Sequence, residues 1–293
     1  MPRPDPRSRP AVPRTGTDRP VKVIAVTGGK GGVGKTTVSV NLAAALAQRG
    51  HRALLLDGDL GLANVDVLLG ISPRWSLAHV LSGERTLEEI IVEAPQGFRV
   101  VPAASGIERL ANLTAAEHLG LVRAFSSLDD GTDVLVVDTP AGIAPGVLQL
   151  AQAAQHVLVV VCDEPASVTD AYALVKVLSR NHGVRRFQIL ANMVRERGGG
   201  RALFQNLSRV TGRFLDVTLD YAGEIPEDAT LRRAIREQQP VVDAYPGSPS
   251  ARALKEVARI ADNWPVPAGP RGNIEFFAER LVQRPPAHLE VVR

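Results

Sequence analysis

Residues 23–37 read Val23-Ile24-Ala25-Val26-Thr27-Gly28-Gly29-Lys30-Gly31-Gly32-Val33-Gly34-Lys35-Thr36-Thr37. The β-branched run from Val21 to Val26 breaks at Gly28 into a glycine-rich loop. From Lys35 the apolar spacing turns helical at Val38, Leu42, Ala45 and Leu46, so the stretch reads strand, loop, helix. Within it Gly29, Gly34, Lys35 and Thr36 satisfy G-x-x-x-x-G-K-[ST], the P-loop pattern. Glycines let backbone N–H groups converge on phosphate oxygens at a helix N-terminus. A lysine at position 35 places a cation on the β/γ-phosphates, and the Thr36 hydroxyl suits Mg²⁺. Residues Gly29 through Thr37, including Gly31, Gly32, Val33 and Thr37, are therefore the candidate nucleotide cradle.

Outward from the loop the same grammar repeats. After Gly50 closes the first helix, an apolar run ends in Asp57-Gly58-Asp59, as expected of a strand buried on both faces whose carboxyl end opens on the P-loop edge. Two carboxylates there can bind Mg²⁺ through water or orient an attacking water. Val134 to Val137 followed by Asp138 has the form of a Walker B strand, which makes Asp138 a second candidate for holding Mg²⁺. Thr114 with Glu117 forms a capping box opening a helix over 114–128. His156 to Cys162 and Phe187 to Asn192 read as further buried strands, with a helix over 167–179 between them. The amide of Asn192, at a strand end, carries both a donor and an acceptor for an adenine edge. Helices are expected over 229–237 and 249–262. This alternation predicts one α/β domain over 21–265, built on a single doubly wound, mostly parallel sheet with helices on both faces.

The 293 residues suffice for one such domain, and no apolar run is long enough to span a membrane. The single cysteine, Cys162, excludes an intrachain disulfide and fits a cytoplasmic location. Residues 1–20 hold five of the 34 basic and two of the 31 acidic residues, which accounts for the whole net charge of +3. The rest of the chain is neutral, so direct nucleic-acid binding is not expected. With six prolines and no periodicity, 1–20 read as an extended Arg/Pro-rich tail. Near the other end, 270–284 read as an amphipathic helix with Ile274, Phe277, Ala278, Leu281 and Val282 on one face, followed by a tail over 285–293. That face has two places to go, its own domain or a membrane surface.

Lys30, five residues before Lys35, is not needed to cradle phosphate in its own site. The loop resembles the deviant Walker A loop of the MinD/ParA ATPases, and the resemblance covers roughly residues 21–282. Leu55 to Gly70 is shared across that family. Val160 to Pro165, Thr169 to Leu174 and Pro270 to Phe277 resemble its flagellar-number-regulating branch. The resemblance implies an ATP- and Mg²⁺-dependent homodimer that hydrolyses ATP. Lys30 would reach the partner subunit's nucleotide, Asp59 would position the hydrolytic water, and the loop containing Pro226 and Asp228 would contact the base. It further implies negative regulation of flagellar number or placement through a polar flagellar GTPase, a flagellar AAA+ transcription activator, or both. The site of action would be the cytoplasm, the inner-membrane surface or the cell pole. Gly58 departs from the Ala or bulkier residue of the family pattern, and the tail lacks a clear partner-binding motif. A division-site or chromosome-positioning ATPase, and more remotely a metabolic P-loop phosphotransferase, are the competing readings; Lys30 argues against the latter.

Overall fold

The computed structural model describes residues 20–60, 63–103, 113–128, 131–267, 269, 271 and 274–282. Residues 1–19 and the tail over 285–293, Gly61 and Leu62 after the Asp57–Asp59 pair, and residues 270, 272, 273 and 283–284 of the expected C-terminal helix lie outside them.

Eight strands form one sheet: β1 (Lys22–Thr27), β2 (Ala53–Asp57), β3 (Val92–Glu93), β4 (Arg99–Val101), β5 (Val134–Asp138), β6 (His156–Cys162), β7 (Arg186–Val194) and β8 (Thr218–Pro226). Their order is β3-β4-β2-β5-β1-β6-β7-β8, and every pairing is parallel except the edge pair β3–β4. Because successive strand residues face opposite ways, Val23 and Ala25 of β1 enter one core while Ile24 and Val26 enter the other. The second core is closed by α1 (Lys35–Gln48) and by a helix over Pro249–Asp262. Helices over Ala115–Ser126, Pro145–Ala153, Pro165–His182 and Gly199–Phe214 cover the first. Counting the short helices Val65–Leu69 (α2), Leu77–Leu81 (α3) and Leu87–Ile90 (α4), these four are α5 to α8. Ala229–Arg236, Val241–Ala244, Pro249–Asp262 and Ala278–Val282 are α9 to α12.

Three expectations are corrected. Residues 218–226, read as part of a loop, form β8, an edge strand that extends the parallel sheet. The segment 199–214, to which no element was assigned, is the 16-residue helix α8. The C-terminal helix is shorter than its periodicity suggests. Residues 274–277 are irregular, Phe277 has φ 55°, and helix begins only at Ala278. Nor is its apolar face open to a membrane in this conformation, because Phe276, Phe277 and Leu281 are buried. Phe125 of α5 meets Phe276 and Phe277 edge-on at 5.2 and 6.1 Å. Arg271 donates to the carbonyl of Ala154 (2.7 Å), Phe276 N–H to that of Ala153 (3.2 Å), and Arg280 to that of Leu128. The segment docks on its own domain, one of the two places its face could have gone.

Candidate nucleotide site

The central strand β1 lies between β5 and β6, so the loop leaving its carboxyl end sits where the sheet's winding reverses, the crevice in which open α/β sheets hold ligands. Gly32 and Gly34 have φ of 76° and 89°, left-handed values that spare N–H groups for the cavity. A Cβ on Gly29 would stand 2.3 Å from the Asp170 carbonyl of α7, so the loop can lie against that helix only as glycine. At Gly31 and Gly32 a Cβ would meet nothing within 4 Å, because both border open space. That space is a cavity of about 550 Å³ reaching from the P-loop to Asp59, Thr139 and Met193.

Lys35 is buried with its Nζ 3.5 Å from the Lys30 carbonyl. Burial lowers its pKa, opposed by the charges of Asp138 and Asp59. Asp138 accepts hydrogen bonds from the hydroxyls of Thr36 and, at 2.9 Å, Ser39, which also donates to the Lys35 carbonyl. Burial raises the Asp138 carboxyl to about 6 against these bonds and the Lys35 charge. Asp57, the register partner of Asp138, is pushed to about 8 by burial first and by Asp138 second. Its oxygens are already engaged: Oδ1 accepts from Asp59 N–H (3.1 Å), Oδ2 from Asn64 (3.1 Å) and Val65 (3.2 Å). Asp57 therefore caps α2 and fixes the turn that carries Asp59. Among the expected metal residues, Thr36 and Asp138 are joined directly, whereas Asp57 stands behind them as a brace.

Gly58 is explained by crowding. A Cβ there would come within 2.5 Å of the Asp138 carbonyl, to which Gly58 N–H donates at 2.8 Å.

Beyond Gly34 and Thr37 a narrower slot of about 100 Å³ opens between Asn192, Met193, Pro226, Asp228 and Leu231. The expected base-contacting residues thus converge, from the ends of β7 and β8. Asn192 Nδ2 donates to the Val33 carbonyl (2.8 Å), tying strand end to P-loop and leaving Oδ1 as an acceptor. Asp228 is occupied otherwise: it accepts from Thr230 N–H, Ser250 N–H and, at 2.6 Å, the Ser250 hydroxyl. Burial raises its pKa, but the Ser250 and Thr230 bonds outweigh that and lower it. Asp228 shapes the slot by capping α9.

Lys30 is on the rim, half-exposed, with Nζ 2.7 Å from Glu164 Oε2; that hydrogen bond and charge raise its pKa. Glu164, Ser39, Asn64 and Met193 had no role assigned from sequence. Glu164 and Ser39 act through the chain-distant Lys30 and Asp138, Asn64 through its backbone N–H to Asp57, and Met193 lines the cavity mouth from a backbone with φ of 56° beside the irregular β7–β8 register.

The donor set fits a nucleoside triphosphate with a divalent cation. A lysine, threonine hydroxyls and free loop N–H groups face open space, with a carboxylate beside them for a cation completed by phosphate oxygens. No cluster of three or more His, Cys, Asp or Glu able to hold a metal alone exists among the described residues. This is a P-loop nucleotide-binding protein by fold and site, and residues 24–241 match the CobQ/CobB/MinD/ParA nucleotide-binding domain, so the chain belongs to that family. Within it, the chain groups with flagellar regulators. It is 56% identical over 270 residues to the antiactivator FleN of Pseudomonas aeruginosa, covering 92% of this chain and 96% of that protein. It is also 35% identical over 240 residues to the flagellum site-determining protein YlxH of Helicobacter pylori, covering 82% and 81%. The septum site-determining protein MinD of Pyrococcus horikoshii, solved with Mg-ADP, superposes with a TM-score of 0.70 at 28% identity, over 83% of this chain and 96% of that one.

Proposed function

We propose that this protein is an ATP-dependent dimerisation switch that hydrolyses ATP and negatively regulates the number or placement of flagella. The observation that carries the reading is the rim of the nucleotide cavity. Val67 and Met193, which line its mouth, are 58% and 45% exposed, and Lys30 stands on the adjoining P-loop in an exposed ion pair that exchanges easily with other anions. A second copy seated face to face would bury the apolar rim and bring each Lys30 to the other subunit's phosphates. Half-exposed pairing to Glu164 keeps that lysine ordered in the single chain.

Within one subunit the P-loop N–H groups and Lys35 would bind the triphosphate, and Thr36 with Asp138 would hold Mg²⁺, which supplies charge neutralisation on the phosphates. Asp57 holds the turn bearing Asp59, so that its carboxylate is placed to orient a water. Asn192 offers Oδ1 to the exocyclic amine of adenine. Ligand binding that favours only the paired state shifts the monomer–dimer equilibrium, and hydrolysis reverses it. The kinship with an antiactivator and a flagellum site-determining protein supports a flagellar transcription activator or a polar flagellar GTPase as partner. No described helix is long and apolar enough to cross a membrane.

The test is genetic and biochemical together. A deletion strain should carry extra flagella, restored to the normal number by the wild-type gene and not by Lys35→Ala. Wild-type flagellar counts in the deletion strain would refute the reading.

A further inference from the structure

The two ends of the domain meet at one place. Near the amino end, Gln155 Nε2 donates to the Val21 carbonyl (2.9 Å) and Val23 N–H donates to Gln155 Oε1 (3.3 Å), just past α6. Near the carboxyl end, Arg271 donates to the carbonyls of Gln152 (3.3 Å) and Ala154 (2.7 Å), immediately before Gln155. Between α5, α6 and the C-terminal segment lies a groove made of two adjoining cavities. The first, about 260 Å³, has apolar walls that include Ala116, Leu119, Val122, Leu150 and Ile274. The second, about 490 Å³, shares Leu119, Gln152 and Ile274 with it and adds Arg123, Glu275 and Glu279. Neither shares a residue with the nucleotide cavity.

The groove is chemically unfilled. Ile274, common to both cavities, is 49% exposed. Gln149, on a wall of the first, keeps its Oε1 buried without a hydrogen-bond partner. In the second, Glu279 is exposed and forms no ion pair among the described residues. Glu275 is buried there, with Oε2 3.4 Å from Arg271 Nε and accepting no hydrogen bond. Arg123 is the one cation among the described residues lining that cavity. An occupant that matched all this would bring small apolar side chains, free N–H groups and a positive charge.

The stretch of chain that leads into β1 has that chemistry. It contains Arg9-Pro10-Ala11-Val12-Pro13-Arg14, a small apolar centre between two arginines. In a polyproline conformation such a segment makes no internal hydrogen bonds, so the N–H groups of Ala11 and Val12 are free for an acceptor. Its prolines also lower the entropy lost on docking. Reach is sufficient. Arg14 to Pro20 spans up to about 20 Å when extended, whereas Gln149 lies less than two turns back along α6 from Gln155, about 9 Å.

We infer that residues 9–14 of the chain's own amino-terminal tail occupy this groove, with Pro10 to Pro13 in the apolar cavity and a flanking arginine on Glu279. So small a contact would bind a separate peptide weakly. The tether changes that, because a short linker supplies an effective concentration on the order of millimolar. Seated there, the tail lies against Ile274 and Glu279, so the amino end of the chain helps to hold the carboxyl end on the domain.

The test uses the full chain. Cys162 is buried, so a bimane label goes to Val12→Cys alone. With millimolar affinity the tail is seated about half the time, so acrylamide should quench the label about twofold less than in the surface variants Ile274→Glu and Glu279→Arg, which empty the groove. Mild oxidation should join Val12→Cys to Ala116→Cys within one chain, and leave Val12→Cys unjoined to Arg252→Cys on α11, which covers the other face of the sheet. Quenching unaltered by both surface variants, no intrachain bond to Ala116→Cys, equal bonding to Arg252→Cys, or a covalent dimer in place of the intrachain bond would each overturn the proposal.

Discussion

Replacing Phe277 tests whether the C-terminal segment is part of the folded domain. Its side chain is 0% exposed, meets Phe125 edge-on, and lies beneath the guanidinium of Arg280 at 5.0 Å. Truncating a buried phenylalanine costs about 3–5 kcal/mol, because the lost transfer energy is joined by the cavity left behind. At roughly 2–4 °C per kcal/mol for a domain of this size, Phe277→Ala should lower the melting temperature by roughly 6–20 °C. Phe277→Glu should cost at least as much, since it loses the same contacts and adds the desolvation of a buried carboxylate, which the neighbouring Arg280 offsets only in part. The left-handed φ of 55° adds a second prediction. Phe277→Gly removes the same contacts but relieves backbone strain of about 1–2 kcal/mol, so it should melt no lower than Phe277→Ala. Calorimetry or circular dichroism on the three variants measures this. Melting temperatures equal to that of the wild type would show that the segment leaves the domain at little cost, and would refute the packing argument.

Three further predictions rest on other parts of the structure. Lys35→Ala and Thr36→Ala should each abolish ATP binding by calorimetry, by removing the buried cation of the cradle and the hydroxyl bonded to Asp138. Unchanged affinity in both would mean that the loop is not the site. Gly58→Ala should destabilise by about 1–3 kcal/mol in urea titration, because its methyl group meets the Asp138 carbonyl at 2.5 Å; a neutral change would show that β2 and β5 can part at no cost. His156 is buried against Trp264 with Nε2 3.0 Å from the Pro265 carbonyl, and burial lowers its pKa to about 4. With the folded value depressed, the unfolded chain takes up the proton first. Stability should therefore fall as pH drops from about 6.5 towards 4, by up to ~3 kcal/mol. His156→Gln should flatten that part of the profile, and an identical slope in the variant would remove His156 as its cause.

The sheet and phosphate cradle were legible because they rest on local signals: largely apolar runs ending in Asp57, Asp138 and Asn192, and glycines spaced around Lys35. The missed elements carry turn signals that mask their pattern. α8 opens on Gly198 to Gly200, which read as a loop although Leu203, Leu207 and Thr211 behind them keep helical spacing and are buried. β8 contains Gly223 at φ 131° and ends in Pro226, both turn signals, and its edge position leaves most of it half-buried without a clean alternation. The C-terminal stretch erred the other way. Its apolar arc is real in sequence, but Phe276 and Phe277 fill a site on α5 from irregular backbone. For Asp57, residue type and strand-end position suggest a cation ligand. Only the structure shows both oxygens engaged by backbone N–H groups from residues 59, 64 and 65. Glu164 likewise gains meaning only when folding brings it 2.7 Å from a lysine 134 residues earlier in the chain.

The central claim is that ATP joins two copies through Lys30 and that Asp59 serves hydrolysis. Size-exclusion chromatography with ATP compares the two variants directly. Asp59→Ala should bind ATP and elute as a stable dimer with turnover lost, since orienting the water matters only in the transition state. Lys30→Ala should bind ATP through Lys35 and elute as a monomer. A Lys30→Ala protein that dimerises on ATP and keeps its turnover would contradict the account.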